Sequence, residues 1–195
     1  MSNGGKTLLD GQYSIPEFEF LANNYWMFTE KVDGTNIRIM WNDGHVQFGG
    51  KTDNASLPAP LVDRLRKQFP DDSMFVSAFP GCSGNVCLYG EGYGPKIQNG
   101  GKYKDYQDFV LFDVKVGDWW LQRNDVIDVA DKLGLDVVPV IGYGTLAECI
   151  EMVQGGFKSH WGDFEAEGVV ARPSVELFNR GGQRIITKIK CRDFR

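Results

Sequence analysis

The sequence predicts an α+β fold, with mixed, largely antiparallel sheets flanked by helices. Short strand-like runs mingle with a few helical ones and lack the regular alternation that a doubly wound parallel sheet requires. Two further observations agree. The chain carries 24 glycines in 195 residues, enough for many tight turns between short strands. Five Trp, seven Tyr and 13 Phe supply the apolar surface of a real core. That length suits one compact domain, and no repeat, low-complexity tract or linker divides it.

Taken in order, residues 25 to 51 alternate around an Asp43-Gly44 pair, so Asn36 to Trp41 and His45 to Gly50 read as a hairpin whose turn suits positive φ. A helix follows Pro58 and Pro60, since Leu61, Val62, Leu65 and Phe69 fall at helical spacing. Strands are expected at Val86 to Glu91 and at Phe109 to Val116. Residues 124 to 133 read as a helix, with Asn124 as cap, Val126, Ile127, Ala130 and Leu133 on one side, and Gly134 as the stop. A strand over Val137 to Ile141 precedes a second helix, Thr145 to Val153, which ends before Gly155-Gly156. Glu167 to Ala171 and Arg184 to Cys191 are the last strands.

Several functions are excluded at this level. No apolar run approaches the ~20 residues of a membrane span, and the N-terminus MSNGGKTLLDGQ lacks the pattern of a secretory signal. A cytoplasmic location without membrane contact is expected. Cys82, Cys87, Cys149 and Cys191 have no CxxC spacing, and only His45 and His160 could complete a zinc site, so idle or buried thiols are expected. Gly49-Gly50-Lys51-Thr52 resembles a phosphate-binding loop, but His45 stands where that motif needs its first Gly. The scarcity of histidine disfavours triad chemistry.

The net charge of −5 hides a gradient, because the stretch from Arg172 to Arg195 holds seven basic and two acidic residues against 14 and 24 in the rest. Such a run is either a solvated face or a phosphate site. Polar residues also stand where strands ought to be apolar. Glu30-Lys31-Val32-Asp33-Gly34-Thr35-Asn36 lies between the run Tyr25 to Phe28 and the strand-like Ile37 to Trp41. A lysine there is either a solvated turn residue or a desolvated amine, for which burial disfavours the charge and makes a nucleophile available. Gly34 would allow close approach of the backbone to a ligand. Glu91 sits at the end of an apolar strand among glycines, in Gly90-Glu91-Gly92-Tyr93-Gly94-Pro95-Lys96-Ile97-Gln98. Phe112, within Asp108 to Val114, is either core or a platform for a base. Glu165-Ala166-Glu167-Gly168-Val169-Val170 again embeds acid in a strand. Lys188 and Lys190, two apart, share one strand face, where an anion such as phosphate would relieve their repulsion.

In order and spacing these five segments, spread over residues 30 to 190, resemble the covalent nucleotidyltransferase superfamily of ATP-dependent ligases and capping enzymes, most closely the RNA ligase 2-like family. The resemblance implies a nucleotidyltransferase (ligase adenylylation) fold and an RNA ligase. Lys31 would become linked to AMP from ATP, AMP would pass to an RNA 5'-phosphate, and an RNA 3'-hydroxyl would then displace it. It further implies that Lys188 and Lys190 meet the α-phosphate, that Glu91 binds the ribose and that Phe112 stacks on adenine. Glu30, Asn36 and Lys51 would complete the nucleotide site, and Glu167 would help to bind magnesium or manganese. Two positions depart from the family: Lys51 and Arg172 stand where Arg and Lys, respectively, are common. A lysine cannot form the bidentate fork of arginine. The chain ends five residues after Lys190, which leads to the expectation of one adenylylation domain over residues 1–195 without a C-terminal accessory domain. The expected partners are ATP and RNA with 5'-phosphate and 3'-hydroxyl ends in a nicked duplex, and the protein is expected to be a monomer. The alternatives are a DNA ligase, a GTP-using capping enzyme, or a non-catalytic nucleic-acid-binding relative.

Overall fold

The computed structural model describes residues 12–82 and 84–195; residues 1–11, part of the segment read above for a secretory signal, lie outside them. Along the described chain run α1 (Pro16–Phe20), β1 (Trp26–Glu30), β2 (Thr35–Asn42), β3 (His45–Gly49), α2 (Ala59–Gln68), α3 (Ser73–Ala78), β4 (Val86–Tyr93) and β5 (Asp108–Val116). There follow β6 (Trp119–Trp120), α4 (Arg123–Leu133), β7 (Asp136–Val137), β8 (Val140–Gly144), α5 (Leu146–Gly155), β9 (Gly168–Pro173) and β10 (Thr187–Lys190). Contacts group the described residues into two compact units, 12–31 with Pro139–Arg195, and Val32–Val138.

The first unit is built on a four-stranded sheet in the order β10-β9-β1-β8, antiparallel at every pairing. One face carries Trp26 and Phe28 of β1 with Val169 and Ala171 of β9, and packs with Leu146, Cys149 and Val153 of α5 into a core. Burial of each such large side chain stabilises the fold by about 1.5–3 kcal/mol. A capping box starts α5: the Thr145 hydroxyl accepts from the Glu148 amide, and the Glu148 carboxylate accepts from the Thr145 amide.

The second unit is a sheet in the order β3-β2-β4-β5-β6, with β7 parallel to β5. Asp43 and Gly44 take φ of 49° and 73° at the expected hairpin turn. Ile37, Ile39 and Trp41 of β2, Leu88 of β4, and Phe109 and Leu111 of β5 form one face, which packs with Leu61 and Leu65 of α2 and Val126, Val129 and Ala130 of α4. Burial by core side chains covers the same face at Gly90 and Gly92, where an added Cβ would meet Phe109 at 2.2 Å and Leu61 at 2.5 Å. Glu91, between them, points the other way.

Three local expectations are corrected, and two short helices are added. The strand expected over Val137 to Ile141 is two strands in different sheets, because Pro139 has no amide to donate, while the Val138 amide bonds to Leu111 and the Pro139 carbonyl accepts from Glu30. The strand expected over Arg184 to Cys191 keeps only Thr187–Lys190: Ile185 donates to Leu177, and a 3-10 turn begins at Cys191. Asn124 lies inside α4, whose N-cap is Gln122. Helices α1 and α3, each six residues or fewer, were too short to show helical periodicity. The four thiols are free as expected, and burial pushes the Cys149 thiol up to about 12.

Candidate active site

In the first unit the sheet's second face is polar for a simple reason of pleat. Since Trp26, Phe28, Val169, Ala171 and Ile189 face the core, the alternate positions Thr29, Val170, Arg172, Lys188 and Lys190 share the opposite face. Lys31 follows β1 directly, its amide held by the Gly168 carbonyl at 2.9 Å. Its Nζ donates to Glu167 Oε2 at 2.6 Å, and Lys190 Nζ meets Glu167 Oε1 at 2.8 Å. A single carboxylate at the foot of β9 thus holds two ammonium groups. The Lys31 and Glu167 side chains are only 16% and 11% exposed, so Lys31 is not a solvated turn lysine. Lys188, opposite Val170, is exposed. β9 and β10 can approach this closely because residue 168 is glycine: a Cβ there would stand 2.1 Å from the Ile189 carbonyl oxygen.

Glu30 lies on the other face, opposite Val169, and is 1% exposed. Its Oε1 accepts from the Ser159 hydroxyl at 2.5 Å and its Oε2 from the His160 amide at 2.8 Å. The carboxylate adjacent in sequence to Lys31 therefore ties the 159–160 turn to the end of β1. Ser159 was not singled out from the sequence, and His160 was considered there only as a zinc ligand. No periodicity marks them, and their link to Glu30 spans about 130 residues.

In the second unit, Asn36 of β2 stands opposite Glu91 of β4, and its Nδ2 donates to Glu91 Oε2 at 2.9 Å. A β-bulge brings Tyr89 opposite Asp113 and Gly90 opposite Leu111, leaving Phe112 outside the core cluster and half-buried. Gly34 permits a close approach, but to protein: a Cβ there would lie 2.2 Å from the Gly92 carbonyl oxygen and 2.8 Å from Glu91 Cγ. Asp33 is fixed by Tyr103, which accepts from its amide at 3.1 Å, and by Asn99, which donates to its carboxylate at 2.7 Å. Lys51 is exposed in the turn after β3. That turn is braced by Arg38, which donates to the Gly50 carbonyl and to Asp53, each at 2.7 Å. Arg38 was also missed, although its place two residues after Asn36 puts it on the same strand face.

Among the described residues no group of three or more His, Cys, Asp and Glu stands together as a metal site. Magnesium needs none when one or two carboxylates and the phosphates of a substrate share it, and Glu167 fits that mode. Among the described residues no helix is long and apolar enough to cross a membrane.

An RNA ligase family profile matches residues 24–190, which include every residue placed above. Among solved structures, a variant of Naegleria gruberi RNA ligase with ATP and manganese superposes with a TM-score of 0.68 at 19% identity, over 90% of this chain and 52% of that one. A variant with AMP and manganese gives the same values. The same enzyme with pyrophosphate matches over 97% of this chain and 60% of that one, again at 0.68 and 19%. The chain thus spans about half the length of the first of these proteins and shares their fold. No curated protein sequence matches it.

Proposed function

The chain belongs to the RNA ligase family, and from that premise we propose that it is an ATP-dependent RNA ligase acting as one adenylylation domain, a cytoplasmic monomer that seals nicked duplex RNA. The observation that carries this reading is the pairing of Lys31 and Lys190 on Glu167.

Lys31 exchanges its contact with Glu167 for the α-phosphate of ATP, its Nζ gives up its excess protons to solvent, and a P–N bond forms as the bond from the α-phosphorus to the departing pyrophosphate oxygen breaks. Lys190, released from the same carboxylate, and Lys188, exposed on the same face, meet the charge that grows on the phosphoryl oxygens. Glu167, relieved of both ammonium groups, would hold magnesium or manganese, which when bound supplies further charge neutralisation at the phosphates. Glu91, fixed by Asn36, takes the ribose, Phe112 the adenine and Lys51 a phosphate. Glu30, both of whose oxygens are occupied within the protein, acts as a positioning residue for Lys31. AMP then passes from Lys31 to an RNA 5'-phosphate, and attack by a 3'-hydroxyl forms the phosphodiester and expels AMP.

Incubation with radiolabelled ATP and magnesium, followed by denaturing electrophoresis, tests the first step. The expected product is a labelled protein whose bond is acid-labile and base-stable, as a phosphoramidate is, and Lys31→Ala abolishes it. Label that persists in the variant would mean a different nucleophile, and efficient labelling by GTP would favour a capping enzyme.

A further inference from the structure

The polar face of the second unit's sheet continues past Asn36 and Glu91 into a cluster that the reaction above does not use. Arg38 and Tyr89 lie opposite each other on β2 and β4, each two residues from Asn36 and Glu91 and so on the same face. Tyr89 packs against Trp120 of β6, with ring centroids 5.0 Å apart. Lys115 of β5, paired with Trp120 in register, places its ammonium 5.9 Å from the Trp120 ring. Tyr89 and Trp120 are both partly exposed. Nothing in the core requires two aromatic rings here, because Leu88 and Val114 fill the opposite face.

Asp113, opposite Tyr89 on this face, is buried, and the remaining charges have a definite sense. Arg38 and Lys115 are mostly covered, at 22% and 31% exposure, whereas their acidic partners Asp53 and Asp118 are almost fully in solvent. Exposed ion pairs of this kind contribute little, so the two acids can swing aside while the cations stay in place. Burial pushes the Tyr89 phenol up to about 12, so it remains neutral and able to donate near neutral pH. Rings beside ordered cations form a surface suited to a nucleic-acid strand: bases stack on the rings and phosphates meet the cations.

We propose that Arg38, Tyr89, Lys115 and Trp120 form a binding surface for an RNA strand, on the face of the sheet that also bears Asn36 and Glu91. The surface is built for any base, because stacking reads no sequence. It rests on the ligase reading for the identity of the strand, and its occupant is the RNA substrate rather than ATP. Trp120 and Lys115 are therefore determinants of RNA engagement and not of lysyl-AMP formation.

The test compares the parent chain with Lys115→Glu, Trp120→Ala and Trp120→Phe. Fluorescence anisotropy with a labelled nicked RNA duplex is measured across a salt series, and labelling with radioactive ATP is measured in parallel. Trp120→Ala is expected to weaken binding about fivefold or more, and Trp120→Phe to restore most of it. Lys115→Glu should weaken binding and lower the salt slope by about one. All three variants should form the protein–AMP bond at the parental rate, which also reports that they are folded. Unchanged affinity and salt slope in Lys115→Glu and Trp120→Ala would overturn the surface. A parent chain that binds RNA as stated yet takes up no AMP would overturn the ligase reading and leave the surface standing.

Discussion

Two lysines bound to one carboxylate make a poor resting place and a good starting point. Glu167 can satisfy Lys31 and Lys190 only while no phosphate is near, so an arriving nucleotide competes for both ammonium groups at once. Because the charge they meet grows as the P–N bond forms, Lys188→Ala and Lys190→Ala should each slow AMP transfer by on the order of a hundredfold while changing ATP affinity little. Single-turnover labelling at increasing ATP separates the two quantities, and parental transfer rates in both variants would remove these lysines from the phosphate. The common face of Lys188 and Lys190 was legible from their spacing alone, whereas the residues around Lys31 left both a solvated turn and a buried amine open. The partner of Lys31 and Lys190 was not, because Glu167 is 136 residues from Lys31 and only the pairing of β1 with β9 brings the two together. Glu30 shows the opposite limit. The family resemblance implied a place in the nucleotide site, yet pleat turns its side chain to the other face of the strand.

At the scale of elements, the periodic helices and the Asp43-Gly44 hairpin were legible because their signals are local, whereas the division at Val138 and Pro139 depends on which sheet each residue's backbone finds. Gly34 is a junction with no room for a side chain. Since a Cβ there would enter the Gly92 carbonyl and the Glu91 side chain, backbone must move, and Gly34→Ala should part the start of β2 from β4 and carry Glu91 out of place. We expect a loss of roughly 1–3 kcal/mol in urea unfolding together with weaker ATP binding. Normal ATP affinity in a destabilised variant would separate Glu91 from the nucleotide.

A second element depends on pH. Asp108, at the start of β5, accepts from Lys104 at 2.8 Å and Arg64 at 3.3 Å, while Lys104 also reaches Asp136 of β7 at 3.0 Å. Burial pushes the Asp108 carboxyl up, but hydrogen bonds from Lys104, the Phe109 amide and Arg64 outweigh it and hold the group below its ordinary value. The folded protein therefore binds this proton less tightly than the unfolded chain. Its contribution is fully present above about pH 4 and is lost as pH falls through the lower folded value. Asp108→Asn should cost about 2 kcal/mol at neutral pH, and the gap to the parent should narrow toward about pH 3. Urea unfolding at the two pH values checks this, and a constant gap would exclude the charge of Asp108 as the cause.

For the whole molecule, the governing quantity is charge. The sequence pointed to a basic segment from Arg172 onward, and the structure shows part of it satisfied internally: Lys190 pairs with Glu167, Arg184 with Glu176 and Arg195 with Glu165. With a net charge of −5, the chain has few cations to offer a polynucleotide, and non-specific affinity follows the number of phosphates contacted. Lysyl-AMP formation asks only for ATP, whereas transfer to RNA and sealing require the strand to stay bound. Salt should thus separate the steps. If about three phosphates are contacted, raising salt from roughly 50 to 200 mM should weaken RNA binding about 40-fold, and sealing of a 5'-phosphate nick should fall steeply while labelling of Lys31 changes little. A nick supplied already adenylylated brings its own AMP and should seal faster at every salt concentration, yet with the same salt dependence, since the strand is held by the same few cations. Time courses of labelling and of both sealing reactions across the series decide the matter: sealing indifferent to salt would mean that the strand is held by contacts other than charge, and that this acidic chain grips RNA in a way its cations do not explain.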